Sequence, residues 1–321
     1  MRNSARPILL LLLLAPLIAE YLLGDLTLGQ LKLLPFMLPI YGGGALLIRE
    51  AARRSRRGWP AILVLGLAYG IIEEALATQS LFNPHYLGLR LIDYGYIPAL
   101  GISGPWTVYV LAIHAVWSIA VPIALVEALF PGTRRTPWLG NAGLAASGAL
   151  YAAGVAIVFG GTRVQEHFMA SGTQLAAGAL LAAAVAASAF VLVRPRAAPD
   201  PAGPALRPWI PGLIAFLGGT ALHALARTDK ALSAVALTAA YLAVAGLTLA
   251  AMARARRAPG WTDGCADGAG AGAALVYCVW GFLVSRALHG PSSLPGHCFF
   301  VAVVLALLAL IAVRRPAARA A

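Results

Sequence analysis

The chain has 321 residues, of which 60% are hydrophobic and only 11% are charged, and its mean hydropathy is +0.80. Soluble domains carry roughly 25% charged residues and about 45–50% apolar residues. This composition excludes a soluble globular enzyme, a disordered protein and a disulfide-stapled secreted domain. It indicates a protein embedded in a lipid bilayer.

The formal net charge of +12 comes from 24 Lys and Arg residues against 12 Asp and Glu residues. The basic residues form short clusters between apolar runs, without the interleaved aromatic residues of a nucleic-acid-binding surface. We therefore expect the lipid bilayer as a partner and no nucleic acid. The sequence leaves the substrate, any cofactor and any metal unknown.

Apolar segments follow one another along the whole chain, and a helix needs about 20 apolar residues to cross a bilayer. The sequence predicts an all-α polytopic integral membrane protein with ten transmembrane helices. The predicted spans are approximately 7–24, 31–49, 59–82, 105–130, 138–160, 173–193, 209–226, 231–252, 270–288 and 295–313.

The basic residues divide unequally between the two sets of connections that ten spans would create. Eighteen Lys and Arg residues fall at the termini and in the connections on one side, and six fall on the other side. Because cytoplasmic loops carry the excess of Lys and Arg, this bias predicts that both termini are cytoplasmic. We expect the protein in the plasma membrane of a bacterium.

A proline-rich stretch divides the predicted spans into two groups. Residues 195–208 contain five prolines and predict an extended cytoplasmic linker. The linker separates an N-terminal six-span part, 1–194, from a C-terminal four-span part, 209–321. The Gly-rich connection 253–269 predicts a second, flexible link, with Asp267 capping the helix that follows.

Ionisable residues at membrane depth are energetically costly, so each one is a candidate for a functional site. The third predicted span carries Glu73 and Glu74, and the fourth carries His114. At 1.5 Å per residue, Glu73 and His114 both lie about 13 Å from the outer ends of their antiparallel spans. We therefore expect two carboxylates and an imidazole at one level of the membrane.

Further polar side chains are spaced to line the same site. Tyr69 and Thr78 lie one helical turn from the glutamate pair, and Ser118 lies one turn beyond the histidine. Glu20 lies in the outer half of the first span. We expect Glu20, Tyr69, Thr78 and Ser118 to line the candidate site.

Small residues and prolines predict how two of these spans pack. Gly66 and Gly70 form a small-xxx-small pair, which lets one face of the third span approach a neighbouring helix closely. Pro35, Pro39 and residues 42–44, which are all glycine, make the second span the best candidate for a broken helix. Broken helices often line binding sites in transporters.

Two other carboxylates lie near predicted inner helix ends, where basic residues can pair with them. Glu50 and Glu127 are the acids, and Arg49 with Arg134 or Arg135 are the expected partners. We interpret these residues as structural ion pairs.

The Glu73, Glu74 and His114 group is compatible with several functions. A shielded glutamate can act as a base that activates water, while the histidine handles a second proton. The same three side chains can ligate a metal ion. They also suit the proton relay of a proton-coupled carrier for a small solute. A catalytically inactive membrane scaffold, with the group as a buried hydrogen-bonded cluster, is the remaining alternative.

The glutamate pair, followed about 40 residues later by His114, resembles the CPBP group of CAAX-processing and bacteriocin-processing intramembrane proteases. Thr78 and Val110 occupy the positions of an Arg and a Phe in that family's pattern. The resemblance covers the third and fourth spans. It implies an intramembrane hydrolase in which Glu73 is the base, Glu74 its partner, and His114 the oxyanion or proton-handling group.

Overall fold

The computed structural model describes residues 5–193, 206–228 and 231–314. Within these residues, nine helices are long and apolar enough to cross a membrane. The segment predicted at 209–226 forms a further apolar helix of 17 residues, Trp209–Leu225. The all-α polytopic fold class is confirmed, with nine spans of full length and a shorter tenth helix.

We number the ten helices in chain order. They are α1 Ala5–Leu22, α2 Leu28–Arg54, α3 Trp59–Ala77, α4 Gly104–Leu129, α5 Asn141–Glu166, α6 Gly172–Val191, α7 Trp209–Leu225, α8 Ala234–Arg257, α9 Asp263–His289 and α10 Pro291–Arg314.

Most of the predicted linker 195–208 lies outside the described residues, so the division of the chain at this point stays a prediction. The orientation of the termini and the identity of the membrane also stay predictions. Side chains do connect the two predicted parts: the Trp117 indole N–H donates to the Ala273 carbonyl over 2.8 Å.

The helices differ in how far they are buried. Most residues in the apolar stretches of α3 and α4 are buried, whereas most of those in α5, α6 and α8 are at least partly exposed. An apolar surface of this extent is suited to contact with lipid chains. The first four helices therefore hold the buried centre where the candidate site lies.

The predicted broken helix, α2, runs without interruption from Leu28 to Arg54 but changes its winding on the way. It begins as a 3₁₀-helix over Leu28–Leu33 and contains a π-helical turn at Leu38–Gly42. The prolines and glycines thus change the local helix type, but they do not interrupt the helix.

The connection between α3 and α4 contains two short regular elements. A 3₁₀ turn covers Tyr86–Gly88, and a two-stranded antiparallel ladder pairs β1, Tyr96–Ile97, with β2, Ile102–Ser103. The Ser103 side chain then accepts a hydrogen bond from the Trp106 backbone N–H over 3.2 Å. This N-cap fixes the point where α4 begins.

Helix α9 begins at Asp263, well before the predicted start of the ninth span. Asp267 lies inside this helix and forms an ion pair with Arg134, with 2.6 Å between Oδ1 and Nη2. The prediction that 253–269 is a flexible link with Asp267 as a cap is therefore wrong.

Close packing explains the glycines of this segment. A Cβ atom built on Gly268 would lie 2.0 Å from the Pro208 carbonyl oxygen, and one on Gly272 would lie 2.0 Å from the Gly212 carbonyl oxygen. The glycines allow the backbones of α7 and α9 to touch, as small residues do in membrane proteins.

Replacing Gly272 with alanine is expected to lower the free energy of unfolding by about 1–3 kcal/mol, because the added methyl group meets backbone atoms that cannot move alone. The control is Gly246→Ala in α8, where no atom lies within 4 Å of the added Cβ. This control should leave stability unchanged or raise it by up to about 1 kcal/mol. Unfolding in mixed micelles with increasing denaturing detergent measures both variants, and equal effects would contradict the packing argument.

A buried ion-pair cluster lies at the C-terminal end of α2. The Arg49 guanidinium contacts Glu50 at 2.7 Å and Glu127 at 3.1 Å, and all three residues are buried. Arg53 adds a second contact to Glu127. Pairing of both glutamates with Arg49 is confirmed, whereas Arg134 pairs with acids of α9.

Candidate functional site

Four π-helical turns occur in the first four helices. They cover Leu17–Leu22, Leu38–Gly42, Ile72–Ala77 and His114–Ala120. π-Helical turns are rare and frequently occur at functional sites. Each of these turns carries at least one polar or ionisable residue of the group described below.

Glu73, Glu74 and His114 form a compact buried triad between α3 and α4. The His114 Nε2 atom lies 2.8 Å from Glu74 Oε1, and Nδ1 lies 3.0 Å from Glu73 Oε2. The exposed fractions are 2%, 6% and 7% for the three residues. The structure thus brings the two carboxylates and the imidazole together, as the sequence predicts.

The backbones of α3 and α4 approach closely enough for this contact because of the glycine pair. A Cβ atom on Gly66 would lie 3.0 Å from the Ala115 backbone, and one on Gly70 would lie 3.0 Å from the His114 Cβ. The predicted role of the small-xxx-small pair is confirmed.

Glu74 has hydrogen-bond partners at both carboxylate oxygens. Oε1 contacts His114, and Oε2 accepts hydrogen bonds from the Ser80 hydroxyl and, over 3.3 Å, from the Thr78 hydroxyl. The Trp106 indole N–H donates to Ser80 Oγ over 3.2 Å. These contacts hold Glu74 and, through it, the orientation of the imidazole.

Glu73 differs from Glu74 in its hydrogen bonding. The His114 Nδ1 atom lies 3.0 Å from both Ser118 Oγ and Glu73 Oε2, so the hydroxyl and the carboxylate share that nitrogen. The contact of Glu73 Oε2 with Nδ1 lacks hydrogen-bond geometry, whereas both oxygens of Glu74 are hydrogen-bonded. Glu73 is therefore the less firmly held of the two carboxylates.

Aromatic rings surround the imidazole. The ring centres of Tyr41 and Tyr69 lie 6.4 Å and 6.1 Å from that of His114, and Tyr151 of α5 lies 5.9 Å from Tyr69. The hydroxyls of Tyr69 and Tyr151 are buried, and both interact electrostatically with Glu73. The two phenols thus belong to the surroundings of the triad.

Glu20 joins the same site from α1. The Tyr41 hydroxyl donates a hydrogen bond to Glu20 Oε1, and Glu20 interacts electrostatically with Glu73 and His114. All seven residues predicted from the sequence are therefore in or beside this group. Their roles in catalysis or binding stay predictions.

Asp25, in the turn between α1 and α2, is a member of the group that the sequence analysis missed. It interacts electrostatically with His114 and Glu74. Burial raises the pKa of the Asp25 carboxyl to about 7, with His114 opposing this rise and Glu74 adding to it. A carboxylate just outside a predicted span gave no signal, because only the fold of the turn directs it inward.

Tyr86, in the connection between α3 and α4, is a second missed residue. It interacts electrostatically with Glu74, Glu20 and Glu73, and burial raises the pKa of its phenol well above the ordinary value. The connection therefore places a phenol near enough to the triad to interact with its carboxyls.

The triad also has the composition of a metal site. One donor atom from each of Glu73, Glu74 and His114 lies within 4.8 Å of the others. Three protein ligands and an open position for water are typical of catalytic zinc. In the described structure the imidazole contacts both other members of the group, Glu74 through Nε2 and Glu73 through Nδ1, and Nδ1 also contacts Ser118.

Comparison with known proteins assigns the chain to a family. A family model described as "Uncharacterized membrane protein family" matches residues 9–320. Neither the curated proteins nor the solved structures contain a match. The matching family is not the CPBP group, so the predicted resemblance to those proteases is not confirmed. Since the match covers nearly the whole chain, the protein belongs to this uncharacterized membrane protein family.

Proposed function

We propose that the protein is a hydrolase that cleaves an amide bond within the bilayer, with Glu73 as the base that activates water. The observation that carries this proposal is the difference between the two glutamates. Glu74 is hydrogen-bonded at both oxygens and orients His114, whereas Glu73 Oε2 has a 3.0 Å contact with His114 Nδ1 that lacks hydrogen-bond geometry. A general base needs an oxygen that can accept a proton from water and pass it to a neighbouring group.

The reaction follows from this arrangement. Glu73 takes a proton from a water molecule, and the water oxygen bonds to the carbonyl carbon of the substrate. The carbon–nitrogen bond then breaks, and the leaving nitrogen receives a proton by way of His114. The products are a carboxylic acid and an amine, and no oxidant or further reactant is required.

Glu73→Gln is expected to lower hydrolysis by at least about 100-fold, because the amide cannot take the proton of water. The assay uses the purified full chain in lipid nanodiscs with a library of fluorogenic peptides that each contain one membrane-spanning segment. Activity of the wild-type protein that is lost in the variant would support the proposal.

The matched control is Asp93→Asn, which changes an exposed carboxylate paired with Arg90 outside the site. It should retain the wild-type rate. Full activity of Glu73→Gln would refute the proposal. If all triad variants alter only the unfolding temperature, and the wild-type protein cleaves no peptide, the scaffold alternative is favoured instead.

A proton-coupled carrier is the second candidate. It is supported by the four carboxyls of the group, Glu20, Asp25, Glu73 and Glu74, which share one imidazole, since carriers use such groups as proton relays. This reading predicts proton uptake into protein-containing liposomes when an external solute gradient is applied. Uptake that persists in Glu73→Gln would count against this role for the triad.

A further inference from the structure

An open groove lies at the C-terminal end of α8, where the last turn of the helix carries three arginines. The volume of the groove is about 630 Å³, and its lining residues are Ala250, Ala253, Arg254, Arg257 and Ala258. Because these positions are three or four residues apart, they share one face of the helix. The groove therefore combines small apolar side chains with two guanidinium groups.

The two guanidinium groups are not neutralised by the part of the chain that the structure describes. Arg254 and Arg257 are exposed, and neither has a hydrogen bond or an ion pair with another described residue. The described carboxylates at this side of the bundle pair with other arginines; they are Glu50, Glu127, Asp263 and Asp267. The groove therefore offers its positive charge to an anion from outside the protein.

Further positive charge lies close to the same end of α8. The Arg256 guanidinium lies beside the turn between α2 and α3, since a Cβ atom built on Gly58 would be 3.4 Å from Arg256 Nη2. Arg56 in that turn is exposed. Clustered charges of one sign raise the local concentration of ions of the opposite sign. The surroundings of the groove thus favour an anion as well.

The groove lies at the level of a membrane interface. Helices α7 and α8 are antiparallel and in contact, since a Cβ atom built on Gly218 would lie 2.2 Å from Thr248 Oγ1. Trp209 and Arg257 each lie nine residues from this contact in the same direction, which is about 13 Å along each helix. Trp209 is 59% exposed. Exposed tryptophan at a helix end is typical of the headgroup region of a bilayer.

The rest of α8 indicates that the anion belongs to a lipid. Leu242, Leu247 and Leu249 are all more than half exposed, so this helix presents an apolar surface suited to lipid chains. Ala250 and Ala253 continue that apolar surface as far as the arginines. A lipid whose acyl chain lies along α8 would bring its phosphate to the groove. A soluble phosphate would use the arginines and leave the apolar wall uncovered.

We propose that the groove lined by Ala250, Ala253, Arg254 and Arg257 binds an anionic phospholipid, with the two guanidinium groups on its phosphate. Arginine binds phosphate through paired N–H donors. Basic pockets at the membrane surface bind the headgroups of anionic lipids. The inference is independent of the proposed hydrolysis, because no residue of the triad takes part in it.

Native mass spectrometry of the full chain, released from detergent micelles, counts the bound lipids and tests the proposal. The probes are dimyristoyl phosphatidylglycerol and dimyristoyl phosphatidylcholine, which have equal chains but differ in net charge. We expect the first phosphatidylglycerol to bind at least about tenfold more tightly than phosphatidylcholine. The double variant Arg254→Gln/Arg257→Gln should weaken phosphatidylglycerol binding by about 10–30-fold, because both arginines attract the phosphate.

The matched control is Arg163→Gln/Arg314→Gln, which removes the same charge from exposed positions at the ends of α5 and α10. It should bind phosphatidylglycerol as the wild-type protein does. Equal losses in the two double variants would refute a site on α8, since they would reflect net charge alone. Equal affinity of the wild-type protein for both lipids would also refute it. Displacement of phosphatidylglycerol by inorganic phosphate would show that the groove takes a soluble anion instead.

Photo-cross-linking of the wild-type protein keeps the proposal testable if a variant fails to fold. Phosphatidylglycerol and phosphatidylcholine with a diazirine in one acyl chain are each incorporated into nanodiscs that hold the protein, and the labelled peptides are identified. The phosphatidylglycerol probe should label residues 242–258 more strongly than the phosphatidylcholine probe. Equal labelling of this segment by both probes, or a preference of phosphatidylglycerol for another helix, would overturn the proposal.

Discussion

Replacing Arg49 with methionine is expected to lower the free energy of unfolding by about 3–5 kcal/mol, the cost of breaking a buried ion pair. The guanidinium is 0% exposed and contacts the carboxylates of Glu50 and Glu127. It also donates a hydrogen bond to the Thr133 carbonyl over 2.9 Å and lies 3.5 Å from the centre of the Trp138 ring. Methionine keeps part of the packing but leaves both acids without their shared partner.

The matched control is Arg90→Met, which breaks an ion pair whose side chains are 65% and 42% exposed. Exposed pairs contribute roughly 0–1 kcal/mol, so this variant should unfold almost as the wild-type protein does. Denaturing-detergent titrations in mixed micelles measure how much each variant lowers the free energy of unfolding. Similar losses would show that Arg49 is not the centre of a stabilising cluster.

The second large effect is expected for Glu74→Gln, which should lower the proposed hydrolysis by about 10²–10⁴-fold while the protein remains folded. His114 Nε2 lies 2.8 Å from Glu74 Oε1, so a proton on Nε2 would donate a hydrogen bond to this carboxylate, and Nδ1 lies beside Ser118 and Glu73. The amide of glutamine offers an N–H group at a site that requires acceptors. The imidazole would rotate or change its tautomer, so that Nδ1 instead of Nε2 carries the proton.

Nitrogen-15 spectra of histidine-labelled protein report which ring nitrogen of His114 carries a proton. A variant that only lowered stability would leave this pattern unchanged. The spectra should report a proton on Nε2 of His114 in the wild-type protein and a changed protonation pattern in Glu74→Gln. Thr78→Val removes the longer hydrogen bond to Glu74, at 3.3 Å, and should have a smaller effect. Loss of activity with an unchanged His114 spectrum would contradict the positioning role.

The helices that carry the triad could be predicted because hydropathy and helical rise depend only on residues that are close together in the sequence. Equal depth on antiparallel helices followed from the positions of Glu73 and His114, and the structure places them 3.0 Å apart at their nearest polar atoms. The glycine pair at Gly66 and Gly70 signalled the close contact that makes this distance possible.

The glycines of α9 show where such reasoning failed. The glycines of the predicted connection 253–269, Gly268 among them, suggested a flexible link, because glycine favours neither helix nor strand when it is considered alone. In the folded protein the same glycines permit backbone contact with α7, and this packing outweighs the low helix propensity. The start of α9 at Asp263 is therefore a consequence of its neighbour.

The membrane class, the positions of the spans and the level of the triad are properties that the sequence determined by itself, since each depends on local hydrophobicity and on regular helical rise. Tertiary structure alone decided that Asp25, Tyr41 and Tyr86 lie near the triad, and that Ser80 holds Glu74 whereas Glu73 shares His114 Nδ1 with Ser118. Hydrogen-bond partners come from residues that the chain brings together from separate helices and turns. Their directions depend on helix rotation and on π-helical turns, which no periodicity in the sequence records.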